Sequence, residues 1–585
     1  MSIYVQSLLQ NYSLSVDIKN PFSQAHLTMA FLSRHFHFTL ALFQRSTVLT
    51  TNKRLHAMST EQTSQSLKRQ HTTNNYGYSK TGVPMKIVLD NREQKICELL
   101  QNVSHYLAKE RPDLPLIESR IAGGWVRDKL LGKECHDIDV AVNSMMGFEF
   151  AQYVNKYLEA NNCPTRSIAK IDSNPAKSKH LETATTKLFD LEIDFCNLRT
   201  EIYTEDSRIP AKTFGTPLED AYRRDTTINS LFYNVNTSSV EDFTEKGLSD
   251  LTHGLIRTPL SPFETFRDDP LRVLRCIRFA SRFDFDMVSE LCEAAKHHDI
   301  REALLSKISR ERIGSELEKM ITGPSPLHSI QLIQNLGLYN VVFSSPPTIV
   351  SGSPEDPKIA VKAVGAVEWL SKGNTHKEQL LSKSSDELRT LYLGASVLPY
   401  IKVKGEYKRK IIPAVQIVLR DSLKTTNLDI TTISNIFEII PTLREASNKN
   451  IDGGIKRSEL GVIIRNLGHL WTTAIKLALI KELLDTFEEV PWENPSSIQD
   501  NIGEELCSKY NALISRAYEY GIETCYTWKH RMDGKQVAKL LGIKPGPGMS
   551  NLLFNEMVWQ LDYPNGTDQE CEDAIRKYWA TVSKA

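Results

Sequence analysis

The sequence predicts an α+β protein, a small mixed-sheet head followed by an all-helical neck, body and tail. Three observations carry this. Two short carboxylate-bearing strand patterns, ECHDIDVAV (134–142) and KLFDLEIDFCNLR (187–199), lie in the first half. Beyond residue 240 apolar residues recur almost everywhere at helical spacing. At 585 residues the chain is too long for one compact core.

Residues 1–80 stand apart. Asp17 and Glu61 are acidic, against Arg34, Arg45, Lys53, Arg54, Lys68 and Arg69, and Ser, Thr, Asn and Gln are dense. Few acids, many bases and hydroxyls suit a mitochondrial presequence with a disordered extension; an extension without an address is the alternative. Starts at Met1, Met29 or Met58 would give products with and without it, and hence mitochondrial, cytoplasmic and nuclear forms.

The head is expected over 85–240. KICELLQNVSHYLAKE (95–110) has helical apolar spacing, and IESRIAGGWVRDKLLG leads into the first acidic strand. KLFDLEIDFCNLR is expected as a second strand, and RTEIYTEDSRIPAKTFGTPLED (199–220) as a mobile loop. The neck follows over 241–330, the body over 331–500 and the tail over 501–585. Turn-rich breaks fall at 344–357 and 491–501.

Totals exclude some classes. Lys plus Arg equals Asp plus Glu at 71 each, so any basic surface must be local. No apolar run is long enough to span a bilayer. The nine cysteines form no CxxC pair, which argues against a zinc site and a disulfide framework.

Chemistry concentrates in the head. Gly123 and Gly124 allow backbone to approach a bulky anion, with Arg127 and Asp128 just beyond. Asp137 and Asp139 alternate along a strand and therefore share a face. Two carboxylates there repel unless a cation lies between them, and magnesium takes oxygen ligands together with substrate phosphates. An isolated D-x-D is otherwise an exposed strand edge. A later strand acid, Asp194 or Glu192, shifts the balance toward a metal–triphosphate site.

This constellation resembles the polymerase-beta-like nucleotidyltransferases. RRDTTINSLFYN (223–234), EDFTEKGLSDLTHGLIRT (241–258), RDDPLRVLRCIRFASRF (267–283) and ISRERIGSEL (308–317) follow in the order of the motifs of class II tRNA nucleotidyltransferases and bacterial poly(A) polymerases. DGKQVAKLLGIKPGPGMSNLLFNEMVWQL (533–561) is similar to the tail of eukaryotic, and in particular fungal, CCA-adding enzymes. The resemblance implies addition of C, C and A to the 3′ end of tRNA from CTP and ATP. Asp137 and Asp139 would hold two Mg2+ ions, with Asp194 as third catalytic acid. Gly123, Gly124, Arg127 and Arg224 would hold the triphosphate, and Asp225 would accept from a ribose hydroxyl. The family's Glu-Asp-x-x-Arg is here Asp268-Asp269-Pro270-Leu271-Arg272, one methylene shorter at its first acid.

Asp269 and Arg272, at i and i+3 on one helix, would select bases. The acid accepts from the exocyclic amine of cytosine or adenine, and the arginine donates to a ring nitrogen. Uracil and guanine would set a carbonyl against the acid, at a cost of about 1–3 kcal/mol. A local surface ion pair is the plain alternative. Arg275, Arg278 and Arg282 continue the helix as phosphate contacts or as a solvated face. Ser309, Glu311, Arg312 and Glu316 would cap and brace the neck. GIKPGPG (542–548), flanked by Lys539 and Lys544, would bind tRNA backbone or serve as a turn. The expected partners are tRNA, CTP and ATP, with no membrane and no second subunit. A poly(A) polymerase on the same head, and a non-catalytic RNA-binding relative, are the competing functions.

Overall fold

The computed structural model describes residues 85–171, 183–204, 207–372, 375–382, 384–499, 501–544 and 546–583. The presequence reading of 1–80 lies outside the described residues.

Helix α1 (Asn91–Glu110) opens the head. Asp90 caps it by accepting from the Arg92 and Glu93 amides, while Glu93 reaches back to the Asp90 amide at 2.8 Å. Glu93 is buried and also accepts from Trp125 Nε1 at 3.1 Å and from Lys129 Nζ at 2.7 Å. Those two residues lie on the short helix α2 (Gly124–Leu130), so one cap fastens α1 to the glycine turn.

Strands β1 (Ser119–Ala122), β2 (Asp137–Val142), β3 (Ile168–Ile171), β4 (Thr183–Leu188), β5 (Leu191–Asn197), β8 (Phe232–Asn234) and β9 (Ser239–Glu241) form one mixed sheet in the order β3-β4-β5-β2-β1-β8-β9. Only the central β2–β5 pair is parallel. Helix α3 (Gly147–Ala160) crosses between them, starting so close to β5 that a Cβ on Gly147 would lie 2.2 Å from the Phe195 carbonyl oxygen. Ile138, Val140, Ile193 and Phe195 point to the helix-covered face, where they are almost wholly buried.

Three expectations need correction. KLFDLEIDFCNLR is not one strand but a hairpin of β4 and β5, turning at Phe189 and Asp190 in left-handed backbone (φ +48° and +67°). The alternating pattern runs through the turn without a glycine to mark it, so the sequence hid it. The 199–220 stretch is not a loop. It forms a second hairpin, β6 (Arg199–Thr204) with β7 (Ser207–Phe214), then helix α4 (Pro217–Tyr222), capped by Thr216 and Glu219. Nor is the remainder wholly helical. The body holds a three-stranded sheet of β12 (Ile349–Ser351), β13 (Lys404–Tyr407) and β14 (Lys410–Pro413).

The neck comprises α5 (Gly247–His253), α6 (Pro262–Asp268), α7 (Leu271–Phe283), α8 (Ser289–Lys296), α9 (His298–Lys307) and α10 (Arg310–Ile321). A parallel strand pair, β10 (Leu255–Ile256) with β11 (Asp286–Met287), ties the two ends of α7's surroundings together. Further helices build the body. One of them, Glu504–Glu519, carries Cys507, Tyr510, Leu513 and Ile514 into the main core. The body core therefore extends past the expected boundary at 500. A separate small cluster of Met532, Val537, Leu552, Cys571 and Ile575 marks the tail. No helix among the described residues is long and apolar enough to cross a membrane.

Candidate active site

The parallel pairing of β2 with β5 sets Asp137 opposite Glu192 and Asp139 opposite Asp194. Alternation then turns all four carboxylates to one face, away from Ile138 and Ile193. Asp139 has an exposed surface yet is crowded by protein; burial, then the charge of Asp137, pushes its carboxyl up to about 6 against the pull of Arg224. Asp194 adds to that repulsion and accepts from Thr185 Oγ1 at 2.5 Å. Such a face is short of positive charge. Among the described residues no three His, Cys, Asp or Glu side chains converge as a complete ligand set. As carboxylates on one strand face, Asp137 and Asp139 offer the oxygen donors that a divalent cation takes alongside substrate phosphates.

The glycine turn faces these acids through Arg224. Gly123 caps α2 at φ +68°, and a Cβ there would lie 2.8 Å from Arg224 Nη1. Glycine is required twice over, for its dihedral and for the space the guanidinium fills. Arg224 donates to Asp220 Oδ2 from Nε at 3.0 Å and Nη2 at 2.9 Å, and to the Asn229 carbonyl at 3.1 Å. Arg223 takes the other oxygen of Asp220 at 2.6 Å. Burial works to raise the Asp220 carboxyl, but Arg224 and Arg223 hold it below the usual carboxylate range.

Four other arginines are engaged differently from the sequence expectation. Arg127 is 3 % exposed. It donates to Asp128 at 2.8 Å and to Asn229 Oδ1, and lies beneath the rings of Phe279 and Phe283. It underlies the glycine turn from below and does not open onto the carboxylate face. Arg275 donates to Asp225 at 2.6 Å, and Arg278 to Glu316 at 2.6 Å. Arg282 reaches Asp128 at 3.3 Å. An acid answers each, so this face of α7 joins head to neck. Asp225 is likewise turned inward: Oδ1 accepts from Thr226 N at 2.8 Å and Asn229 Nδ2 at 3.0 Å, Oδ2 from Arg275. Burial would raise its carboxyl, yet Arg275 and Asn229 hold it well below the usual range.

Asp269 does not sit on a helix with Arg272. It caps the end of α6 in extended backbone (φ −133°, ψ 96°), and α7 begins after Pro270. The proline's missing N–H and fixed φ suit the start of α7, which begins at Leu271, two residues beyond the expected start near Asp269. The two residues still meet: the Arg272 amide donates to the Asp269 carbonyl at 3.0 Å. Arg272 Nη2 donates to the Arg223 carbonyl at 2.7 Å, which ties it to the RRD loop. Asp269 Oδ2 accepts from Arg312 of α10 at 3.2 Å. Burial raises the Asp268 carboxyl, while Arg272 beside it pulls the other way.

Comparison with known proteins identifies this arrangement. A model described as the poly A polymerase head domain matches residues 119–257, and one described as a probable RNA and SrmB-binding site of polymerase A matches residues 284–349. The mitochondrial CCA tRNA nucleotidyltransferase of Saccharomyces cerevisiae is 40% identical over 515 residues, 83% of this chain and 92% of that protein. The chain belongs to the CCA tRNA nucleotidyltransferase family. The tRNA nucleotidyltransferase cca1 of Schizosaccharomyces pombe is 36% identical over 82% of this chain and 95% of its own length. The solved CCA-adding enzyme in apo form II superposes with a TM-score of 0.55 at 21% identity, covering 84% of this chain and 96% of that one, which shows the shared fold.

Sequence reasoning missed three residues of this nucleotidyltransferase head and neck. Asp220 stands three and four residues before Arg223 and Arg224, a helical ion-pair spacing that pointed to it. Arg312 was read as a brace of the neck, and nothing local linked it to Asp269. Asn229 bonds Arg127, Asp225 and, through its carbonyl, Arg224. Only its place within RRDTTIN hinted at a role.

Proposed function

We propose that this enzyme adds C, C and A to the 3′ end of tRNA from CTP and ATP without a nucleic-acid template. The observation that carries the reading is the α6–α7 break. It sets one half-buried acid, Asp269, held by Arg312, beside one buried arginine, Arg272, which is tied to the RRD loop that adjoins the carboxylate face. Asp269 accepts from an exocyclic amine and Arg272 donates to a ring nitrogen, a pattern that cytosine and adenine meet and uracil and guanine do not. Arg224 and the backbone of Gly123 and Gly124 hold the triphosphate; Asp194 assists the carboxylate pair. Asp137 and Asp139 would hold Mg2+, which would supply charge to activate the attacking 3′-hydroxyl and to neutralise the leaving pyrophosphate. Arg127, Asp225, Arg275 and Arg278 act as the packed support of this site and do not touch nucleotide.

The enzyme works as a monomer, with tRNA held along the tail. Residues 1–80 direct the longest product to mitochondria, and starts at Met29 or Met58 supply cytoplasm and nucleus.

Incubating the full chain with tRNA lacking CCA tests the function. CTP alone should add C and stop; CTP with ATP should complete CCA. Long A tracts from ATP alone would identify a poly(A) polymerase instead. No incorporation under any condition would leave the non-catalytic RNA-binding reading.

A further inference from the structure

The body sheet carries a feature that the nucleotide chemistry does not use. β13 and β14 pair Lys404 with Pro413 through Tyr407 with Lys410, leaving Lys408 and Arg409 as a two-residue turn. Both adopt left-handed backbone, φ +49° and +65°. Asn-Gly is the pair that fits such a turn best. Here two long cations occupy it at a conformational cost. KVKGEYKRK (402–410) holds five cations and one acid, Glu406. Lys402 pairs with Glu355 at 3.2 Å, while Lys404, Arg409 and Lys410 are exposed and make no ion pair with another described residue. Tyr407 lies between Arg420, 4.9 Å from its ring centre, and Lys408 at 5.3 Å. Exposed Ile411 flanks the tip.

The hairpin is also joined to the neck. Arg420 belongs to a π-helical turn, Val418–Ser422, that packs on α10. Gly314 of α10 sits so close behind it that a Cβ would lie 1.9 Å from the Leu423 carbonyl oxygen. Two residues earlier, Arg312 holds Asp269. A packed path thus runs from Asp269 to the basic tip.

We propose that the Lys408–Arg409 tip, with Lys410, Arg420 and the ring of Tyr407, is a contact site for the phosphodiester backbone of the RNA substrate. The inference rests on the RNA-extending function proposed above. Unpaired cations around an aromatic ring match a polyanion with stackable groups. An anionic membrane would satisfy the charges alone and leaves the ring and the link to the neck unused.

Lys408→Asn combined with Arg409→Gly tests this in the full chain, because it removes both charges while installing the turn pair that suits the backbone. The melting temperature should hold or rise. Affinity for tRNA lacking CCA should fall about five- to tenfold near 150 mM salt, and the slope of log Kd against log salt should shrink by about 1.5. kcat and KM for CTP should not move. A wild-type chain that extends the tRNA, paired with a variant of unchanged Kd and salt slope, would overturn the contact but leave the function standing. Loss of binding to phosphatidylserine vesicles with unchanged tRNA affinity would overturn it in favour of a membrane. A wild-type chain that binds the tRNA but never extends it would count against the function alone, and the salt slopes would still decide the contact.

Discussion

Arg275 closes on Asp225 at 2.6 Å across the junction of head and neck, joining the helix that follows the α6–α7 break to the loop that carries Arg224. Asp225 is nearly buried, so the pair is a structural clamp whose loss strands a carboxylate.

Arg275→Ala should therefore lower stability by about 2–3 kcal/mol, less than for a wholly buried pair because the arginine keeps a third of its side chain in solvent. Chemical denaturation measures it. The sign of the pH dependence follows. Asp225 has a depressed carboxyl in the folded state, so its stabilisation is present above the unfolded value of about 3.9 and is lost as pH falls below it. The wild-type chain should lose stability through that range more steeply than the variant. Parallel pH profiles would contradict the clamp.

Asp137→Ala or Asp139→Ala should abolish addition of both C and A, by about three orders of magnitude or more, and chelation of divalent ions should do the same. The melting temperature of the metal-free protein should stay level or rise, because burial and neighbouring acids already disfavour the charge at Asp139. Measurable incorporation by either variant at any magnesium concentration would remove these residues from the reaction.

Asp269→Ala should relax base choice, lowering CTP use ten- to a hundredfold while narrowing the CTP-to-UTP ratio. Arg312→Ala should shift the ratio the same way but less, since it only holds the acid. Asp268→Ala should act mainly through Arg272. Competition between labelled CTP and UTP reads all three. A preserved ratio in Asp269→Ala would place selection elsewhere.

Much of this site was legible because motif spacing survives without knowledge of the fold. The alternation of Asp137 and Asp139 and the later acid Asp194 needed only the period of a strand. The partners of the arginines were not legible. Arg127 and Asn229, or Arg275 and Asp225, lie 102 and 50 residues apart, and nothing along the chain distinguishes an arginine that meets phosphate from one that meets a buried acid. The β4–β5 turn escaped notice because Phe189 and Asp190 adopt a backbone usually left to glycine or asparagine. The start of α7, expected near Asp269, falls two residues later at Leu271, which moves Asp269 from helix to hinge.

Truncation at residue 528, which strips Met557 and Leu561 from the main core, should weaken tRNA binding, lower stability modestly and leave CTP binding intact, whereas truncation at 500 should unfold the body as well. The Glu504–Glu519 helix supplies Tyr510 and Leu513 to the main core, and Lys509 meets Glu482 there at 2.9 Å. Fluorescence binding of CTP, with a melting curve for each product, separates the two. Equal stability of both truncations would contradict this boundary.

Gly314→Ala should cost about 1–3 kcal/mol, since a methyl group there meets the Leu423 carbonyl and neither backbone can give way cheaply. Activity per folded molecule should fall too, because α10 also carries Arg312.

The helix Met549–Asp562 serves two masters. Leu552 packs in the tail cluster, while Met557 and Leu561 pack in the main core, with Leu561 pressed against Gly461. One continuous helix thus belongs to both clusters, so the spacing of the tail cluster from the body is set by side-chain packing along it and not by a free linker.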